Sequence, residues 1–218
     1  MTIKDLLNEE LQDKRTNDKI IVFDIDNTLL TAKDIFIYLK DPTGKKDINK
    51  LTPEQYDGMT KEQKKLSTKN GETWDFREFR DPDKIYTSIV YGKGKLPVLK
   101  MLDRHVKAGW HVGIITARGV EDSVKQAIRD WLRAKVGDKL VMVPKLNPAN
   151  IHAINDEKKR AEGIYKGYNK NPQLEKFLSK YKVVKFVDDS QEHLANASKI
   201  KVPAGKVFKT VDANRENR

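Results

Sequence analysis

Residues 20–30 of the chain read IIVFDIDNTLL. The first four, Ile20, Ile21, Val22 and Phe23, are β-branched or aromatic and run without a polar break. Such a run suits a central parallel strand covered on both faces. It delivers two carboxylates, Asp24 and Asp26, with Thr28 two residues further on. If the chain stays extended, residues 24 and 26 point to the same side. Two carboxylates at the end of a buried strand repel each other and resist desolvation, and a divalent cation relieves both penalties. The plainer alternative is a solvated turn, with Asp and Asn as turn formers and Thr28 as a cap.

On the N-terminal side, residues 3–15 carry Ile3, Leu6, Leu7 and Leu11 on one stripe and predict an amphipathic helix. On the C-terminal side, residues 31–95 break any α/β rhythm. They contain KDPTGKKD, LTPEQYDGMT, STKNGETWDF and FRDPD, all rich in turn residues. A segment this long is expected to have structure of its own, as an insertion or cap folded over the end of the first strand. Trp74, Phe76 and Phe79 are spaced to anchor a small sub-core there, or to stack on a base.

Alternation resumes beyond residue 95. Leu96–Ala108 predicts a helix with Pro97 in its first turn and Gly109 as its stop. A strand is expected over Trp110–Ile115, a helix over Val120–Val136 and a strand over Lys139–Val143. Ile151–Ile154 suggests a short strand and Asp156–Tyr165 a helix. A clearer helix spans Pro172–Tyr181, and strands follow at Val183–Val187 and Lys206–Val211, with Ser190 capping a helix between them. This pattern implies an α/β fold: a Rossmann-like parallel sheet with helices on both faces, interrupted by the insertion. The expected division is a core of residues 1–30 and 96–218 with residues 31–95 inserted. Sites in such sheets lie beyond the carboxyl ends of the strands. Asp24 and Asp26, Thr116, and the pair Asp188 and Asp189 all fall there.

Composition narrows the function. With 38% hydrophobic and 34% charged residues, the chain can bury a core beneath a very charged surface. There is no cysteine, which excludes disulfides, thiolate catalysis and cysteine zinc sites. No run is long enough to span a bilayer, and the start MTIKDLLNEELQDKR is too acidic for a signal peptide, so a cytoplasmic location is expected. Net charge is +11, and residues 145–218 alone hold 16 basic against 9 acidic side chains. That balance suits a polyanionic partner such as nucleic acid, and equally serves solubility.

Two further stretches carry chemistry. HVGIITARG, residues 111–119, runs from an apolar strand into Thr116, Ala117, Arg118 and Gly119 ahead of a helix. A hydroxyl with main-chain N–H groups at a helix N-terminus suits a phosphate oxygen, and Arg118 could add a bidentate contact. The plainer readings are a helix cap and a surface arginine. VVKFVDDS, residues 183–190, is a strand ending in paired acids.

Taken in order, these motifs resemble the haloacid dehalogenase (HAD) superfamily of phosphotransferases. Asp24-Ile-Asp-Asn-Thr28 is similar to its first motif, DxDx(T/V), the strand ending in Thr116 to its second, and VVKFVDDS to its fourth. The resemblance covers residues 20–211 apart from the insertion. Within the superfamily the chain looks most similar to the phosphatase half of phage polynucleotide kinases and to related phage-encoded hydrolases, on FDIDNT, TARG and VDDS. The long insertion departs from that pattern.

The resemblance implies a phosphatase. Asp24 would be the nucleophile and Asp26 the general acid/base. Thr116, Arg118 and a lysine would meet the phosphate. The third motif places that lysine near the start of the helix before the last acidic strand. Lys170 is chosen, Lys159 is second, and Lys158 and Lys166 are rivals. Mg2+ would be held by Asp24, Asp188 and the main-chain carbonyl of Asp26, with Asp189 beside them. The expected partner is a phosphorylated substrate, a nucleotide or a nucleic-acid end with a 3′-phosphate; the alternative is a small metabolite phosphate. Two other classes compete: a receiver-type phospho-acceptor, which also gathers Asp, Thr and Lys on a parallel sheet, and a nucleic-acid-binding module with vestigial catalytic residues.

Overall fold

Ile20, Ile21, Val22 and Phe23 have no exposed surface, because strand β1 (Lys19–Phe23) has a neighbour on each side and helices on each face. The computed structural model describes residues 18–136, 146–165 and 169–215. The helix expected over residues 3–15, the strand expected over 139–143 and Lys166 lie outside them.

After β1 the chain forms β2 (Leu30–Thr31), β3 (Ile37–Lys40) and β4 (Asp47–Leu51), then helices α1 (Pro53–Asp57) and α2 (Lys61–Leu66). It continues through β5 (Thr73–Asp75), α3 (Pro82–Val90) and β6 (Lys93–Gly94). The regular part follows: α4 (Leu96–Lys107), β7 (His111–Thr116), α5 (Glu121–Val136), β8 (Ile151–Ala153) and α6 (Glu157–Ala161). It closes with α7 (Asn171–Lys180), β9 (Val183–Asp188), α8 (Gln191–Ala197) and β10 (Val207–Asp212).

The central sheet has the order β10-β9-β1-β7-β8, and every pairing in it is parallel. The chain moves outward from β1 to β7 and β8, then returns to the other side of β1 for β9 and β10. The direction of winding therefore reverses beside β1, which opens a crevice above the ends of β1 and β9. Alternation along β1 supplies two cores. Ile21 and Phe23 pack with Ile89, Leu102, Ile128 and Trp131 from α3, α4 and α5. Ile20 and Val22 pack with Leu174, Phe177 and Leu194 from α7 and α8. A strand covered on both faces has no polar side to show, hence its unbroken apolar run.

Local differences from expectation have local causes. Val120 adopts φ 48°, so α5 begins one residue later, at Glu121. The helix expected over 156–165 stops at Ala161, and Gly163 follows with φ 74°, a conformation only glycine adopts without strain. The strand that pairs with β7 is Ile151–Ala153.

Residues 31–95 are structured. β2 and β6 pair antiparallel, Leu30 with Gly94 and Thr31 with Lys93, so the segment leaves and rejoins the core at one place. Between them, β4-β3-β5 form a small antiparallel sheet. Ile35, Ile37 and Phe79 are its buried centre, with Tyr56, Trp74 and Phe76 packed around them. The rings of Tyr56 meet Trp74 and Phe76 edge-on at 5.0 and 5.3 Å. Glu78 ties this unit together, accepting from Phe36 N at 2.8 Å and from the Tyr38 hydroxyl at 2.6 Å. α3, by contrast, packs Ile85 and Ile89 into the main core. No helix among the described residues is long and apolar enough to cross a membrane.

Candidate functional site

β1 ends at Phe23, and the main chain then turns sharply. The N–H groups of Thr28, Leu29 and Leu30 all reach the carbonyl of Ile25, a single wide helical turn closed by one acceptor. Asn27 within it adopts φ 55°, which asparagine tolerates better than most residues. The turn leaves Asp24 on the strand end and Asp26 one step out. On the neighbouring strand, β9 runs in register with β1, Val187 beside Phe23, so Asp188 and Asp189 emerge next to Asp24. The Asp24 N–H bonds the Val187 carbonyl at 3.0 Å and fixes that alignment.

Asp24, Asp188 and Asp189 each offer a carboxylate oxygen within 4.8 Å of the others. Asp24 and Asp188 are buried. Lys170, at the start of α7, is buried with them. Its Nζ lies 2.8 Å from Asp24 Oδ1 and 2.8 Å from Asp188 Oδ2. Of the three candidate lysines among the described residues, this is the one at the aspartates. Lys159 pairs with Glu121 instead, and Lys158 is exposed.

The electrostatics follow from burial. Desolvation, reinforced by Asp188, Asp189 and Asp26, raises the Asp24 carboxyl well above its ordinary range despite Lys170. Burial and the Asp188 charge push Asp189 up to about 6. Asp188 feels the same burial, but Lys170 and His193 outweigh it and hold it low. Burial disfavours the Lys170 ammonium, yet the two carboxylates prevail and raise it above an ordinary lysine. One lysine thus faces three carboxylates, which leaves the cluster short of positive charge. A hard divalent cation with oxygen ligands fits such a donor set.

Asp26 is occupied elsewhere. Its carboxylate takes a fork from Arg118, Nε to Oδ2 at 2.9 Å and Nη2 to Oδ1 at 2.7 Å. Arg118 Nη1 donates to Ser88 Oγ at 2.7 Å and to the Ile85 carbonyl at 3.3 Å, and Arg118 has no exposed surface. The guanidinium expected to reach a phosphate is therefore committed to Asp26 and α3. The fork takes one lone pair on each Asp26 oxygen and leaves about two of the four sites of the carboxylate. Thr116, at the end of β7, is buried, and its hydroxyl accepts from Arg118 N at 3.3 Å. Thr28 is buried too and couples the two strand ends: its hydroxyl donates to Asp189 Oδ1 at 2.8 Å and accepts from Asp189 N at 2.9 Å.

Three site neighbours were not anticipated. His193 Nδ1 lies 3.2 Å from Asp188 Oδ2. The signal for it was Ser190, whose cap sets the third residue of α8 beside the strand end. Ser88 of α3 carries no local mark of its bond to Arg118. Asp57 of α1 accepts from Asn27 Nδ2 at 3.0 Å and so brings the inserted segment onto the turn after β1. No sequence pattern pairs residues 27 and 57.

No family model matches the sequence, and none of the curated proteins matches it.

Proposed function

We propose that this chain is a phosphomonoester hydrolase of the HAD type, dependent on a divalent cation that we take to be Mg2+. The observation that carries the reading is Lys170 set between Asp24 and Asp188, with Asp189 beside them, at the crevice where the sheet reverses direction. A cation bound by these carboxylates supplies the charge that offsets their repulsion and that of a phosphoryl group.

In this reading a carboxylate oxygen of Asp24 attacks phosphorus in line. The bond from phosphorus to the leaving oxygen breaks, and Asp26 gives that oxygen a proton. Asp26 then takes a proton from water as the water oxygen attacks the aspartyl-phosphate, which releases phosphate and restores Asp24. Two displacements replace one harder displacement. Lys170 and Thr116 stabilise charge on the phosphoryl oxygens. Arg118 orients Asp26 rather than touching phosphate, since all its bonds are internal.

The substrate class we assign is a nucleotide or a nucleic-acid end, a 3′-phosphate in particular, on the strength of the basic charge and the resemblance. Trp74, Phe76 and Phe79 support it little, because they pack on one another and on Tyr56. A small-metabolite phosphatase is the competing reading. The receiver-type alternative is disfavoured by the strand order: numbered along the chain, the five parallel strands lie 5-4-1-2-3, the Rossmann order rather than the 2-1-3-4-5 of receiver domains. The segment around β3–β5 would act as a cap over the site.

The test is hydrolysis of an aryl phosphate with and without Mg2+. The expected result is cation-dependent turnover that Asp24→Asn lowers by roughly three orders of magnitude or more with the fold retained. Near-normal activity in that variant would sink the mechanism.

A further inference from the structure

A carboxylate that binds a cation must be held in one orientation, and Asp188 has three donors around it. Lys170 Nζ meets Oδ2 at 2.8 Å, and the Ser190 N–H meets Oδ1 at 2.9 Å. Those two bonds sit on opposite oxygens and hold a terminal torsion that is soft in a free aspartate. His193 addresses both oxygens at once, with Nδ1 at 3.3 Å from Oδ1 and 3.2 Å from Oδ2. It meets the carboxylate from a third side, the partly exposed one. The residue is also tied through its main chain. Ser190 caps α8, and its hydroxyl accepts from His193 N at 3.3 Å, which ties the residue to the end of β9. Asp188 and Lys170 are buried while His193 is partly exposed, so it is the member of the set that faces outward.

We propose that His193 is a positioning residue for the cation site: its Nδ1–H, directed at Asp188, joins Lys170 and the Ser190 N–H in holding that carboxylate for a divalent ion. The inference rests on the phosphatase reading above. It assigns His193 no contact with the substrate and no step in the chemistry.

The test is Mg2+ binding to the full chain by titration calorimetry, for the wild type, His193→Ala and His193→Asn. Asparagine places an N–H donor close to where Nδ1 stands. His193→Ala is expected to weaken Mg2+ binding about tenfold, as loss of a partner behind a metal ligand commonly does. The Mg2+ concentration for half-maximal hydrolysis of an aryl phosphate should rise by the same factor, with kcat at saturating Mg2+ little changed. His193→Asn should recover most of the affinity, and the metal-free unfolding midpoints of the two variants should agree. Wild-type affinity in His193→Ala overturns the proposal, and so does an asparagine variant as weak as the alanine one. A wild type that hydrolyses phosphate and binds Mg2+ while His193→Ala is unaffected removes this inference alone. A wild type that binds no divalent ion removes the phosphatase reading with it.

Discussion

Arg118 and Asp26 form an ion pair in which the arginine is wholly buried. Such pairs add little net stability, but removing one partner strands a charge, at a penalty of about 3–5 kcal/mol. Arg118→Lys keeps the charge and loses the fork on Asp26 and the bond to Ser88. It is expected to lower stability by about 1–3 kcal/mol in chemical denaturation, and to lower kcat for an aryl phosphate more than it raises KM. A rise in KM alone would mean that Arg118 binds substrate after all. His152 makes a second case. Burial pushes its imidazole down to about 4, and Nδ1 lies 3.1 Å from the Tyr165 hydroxyl. The folded form resists a proton that the unfolded chain accepts near pH 6.5, so stability falls as pH drops from there toward 4. Between pH 7 and pH 4.5 the loss should be on the order of 2 kcal/mol, and it should vanish in His152→Asn. Equal pH dependence of unfolding in the two proteins would show that another group titrates.

At the scale of elements, the inserted unit around β3–β5 has its own small core and meets the rest of the chain through polar contacts. Asp57 bonds Asn27, Thr31 donates to Glu54, and Gly119 N bonds the Phe79 carbonyl at 2.8 Å. α3 belongs with the main core through Ile85 and Ile89 and must stay. Replacing residues 35–78 by a short glycine-serine linker should therefore leave the parallel sheet folded. The change is expected to reorder phosphorylated substrates by kcat/KM while activity on a small aryl phosphate stays within about tenfold, because a cap contributes binding to remote parts of the substrate. An unchanged ranking would assign the unit some other task.

The whole molecule carries a net charge of +11, with 25 basic and 14 acidic side chains in residues 96–218. If those lysines and arginines meet several phosphates, kcat/KM on a 3′-phosphorylated oligonucleotide should fall steeply and log-linearly with salt. The matching mononucleotide, with one terminal phosphate, should show a shallow slope. No advantage for the oligonucleotide even at low salt would favour the small-metabolite reading.

Much of this was legible in the chain because it is local. The apolar run Ile20–Phe23 specified a strand buried on both faces, and the capping signals of Pro97 and Ser190 placed their helices, since period and caps act over a few residues. The order of the acidic strand ends followed, because parallel strands deliver their carboxyl ends to one edge of a sheet. Other features are contacts across long stretches of chain. Lys170 is one lysine among many until α7 sets it 2.8 Å from Asp24 and Asp188. Arg118 reads as a phosphate ligand until burial gives it to Asp26, 92 residues away. Asp57 joins the turn after β1 only because the inserted unit folds back upon it. The sequence by itself determined the sheet and which carboxylates would reach its edge, through periodicity and capping. Which charges meet there was decided by tertiary structure alone, because ion pairing and desolvation depend on distance in space and on burial, neither of which is encoded in sequence spacing.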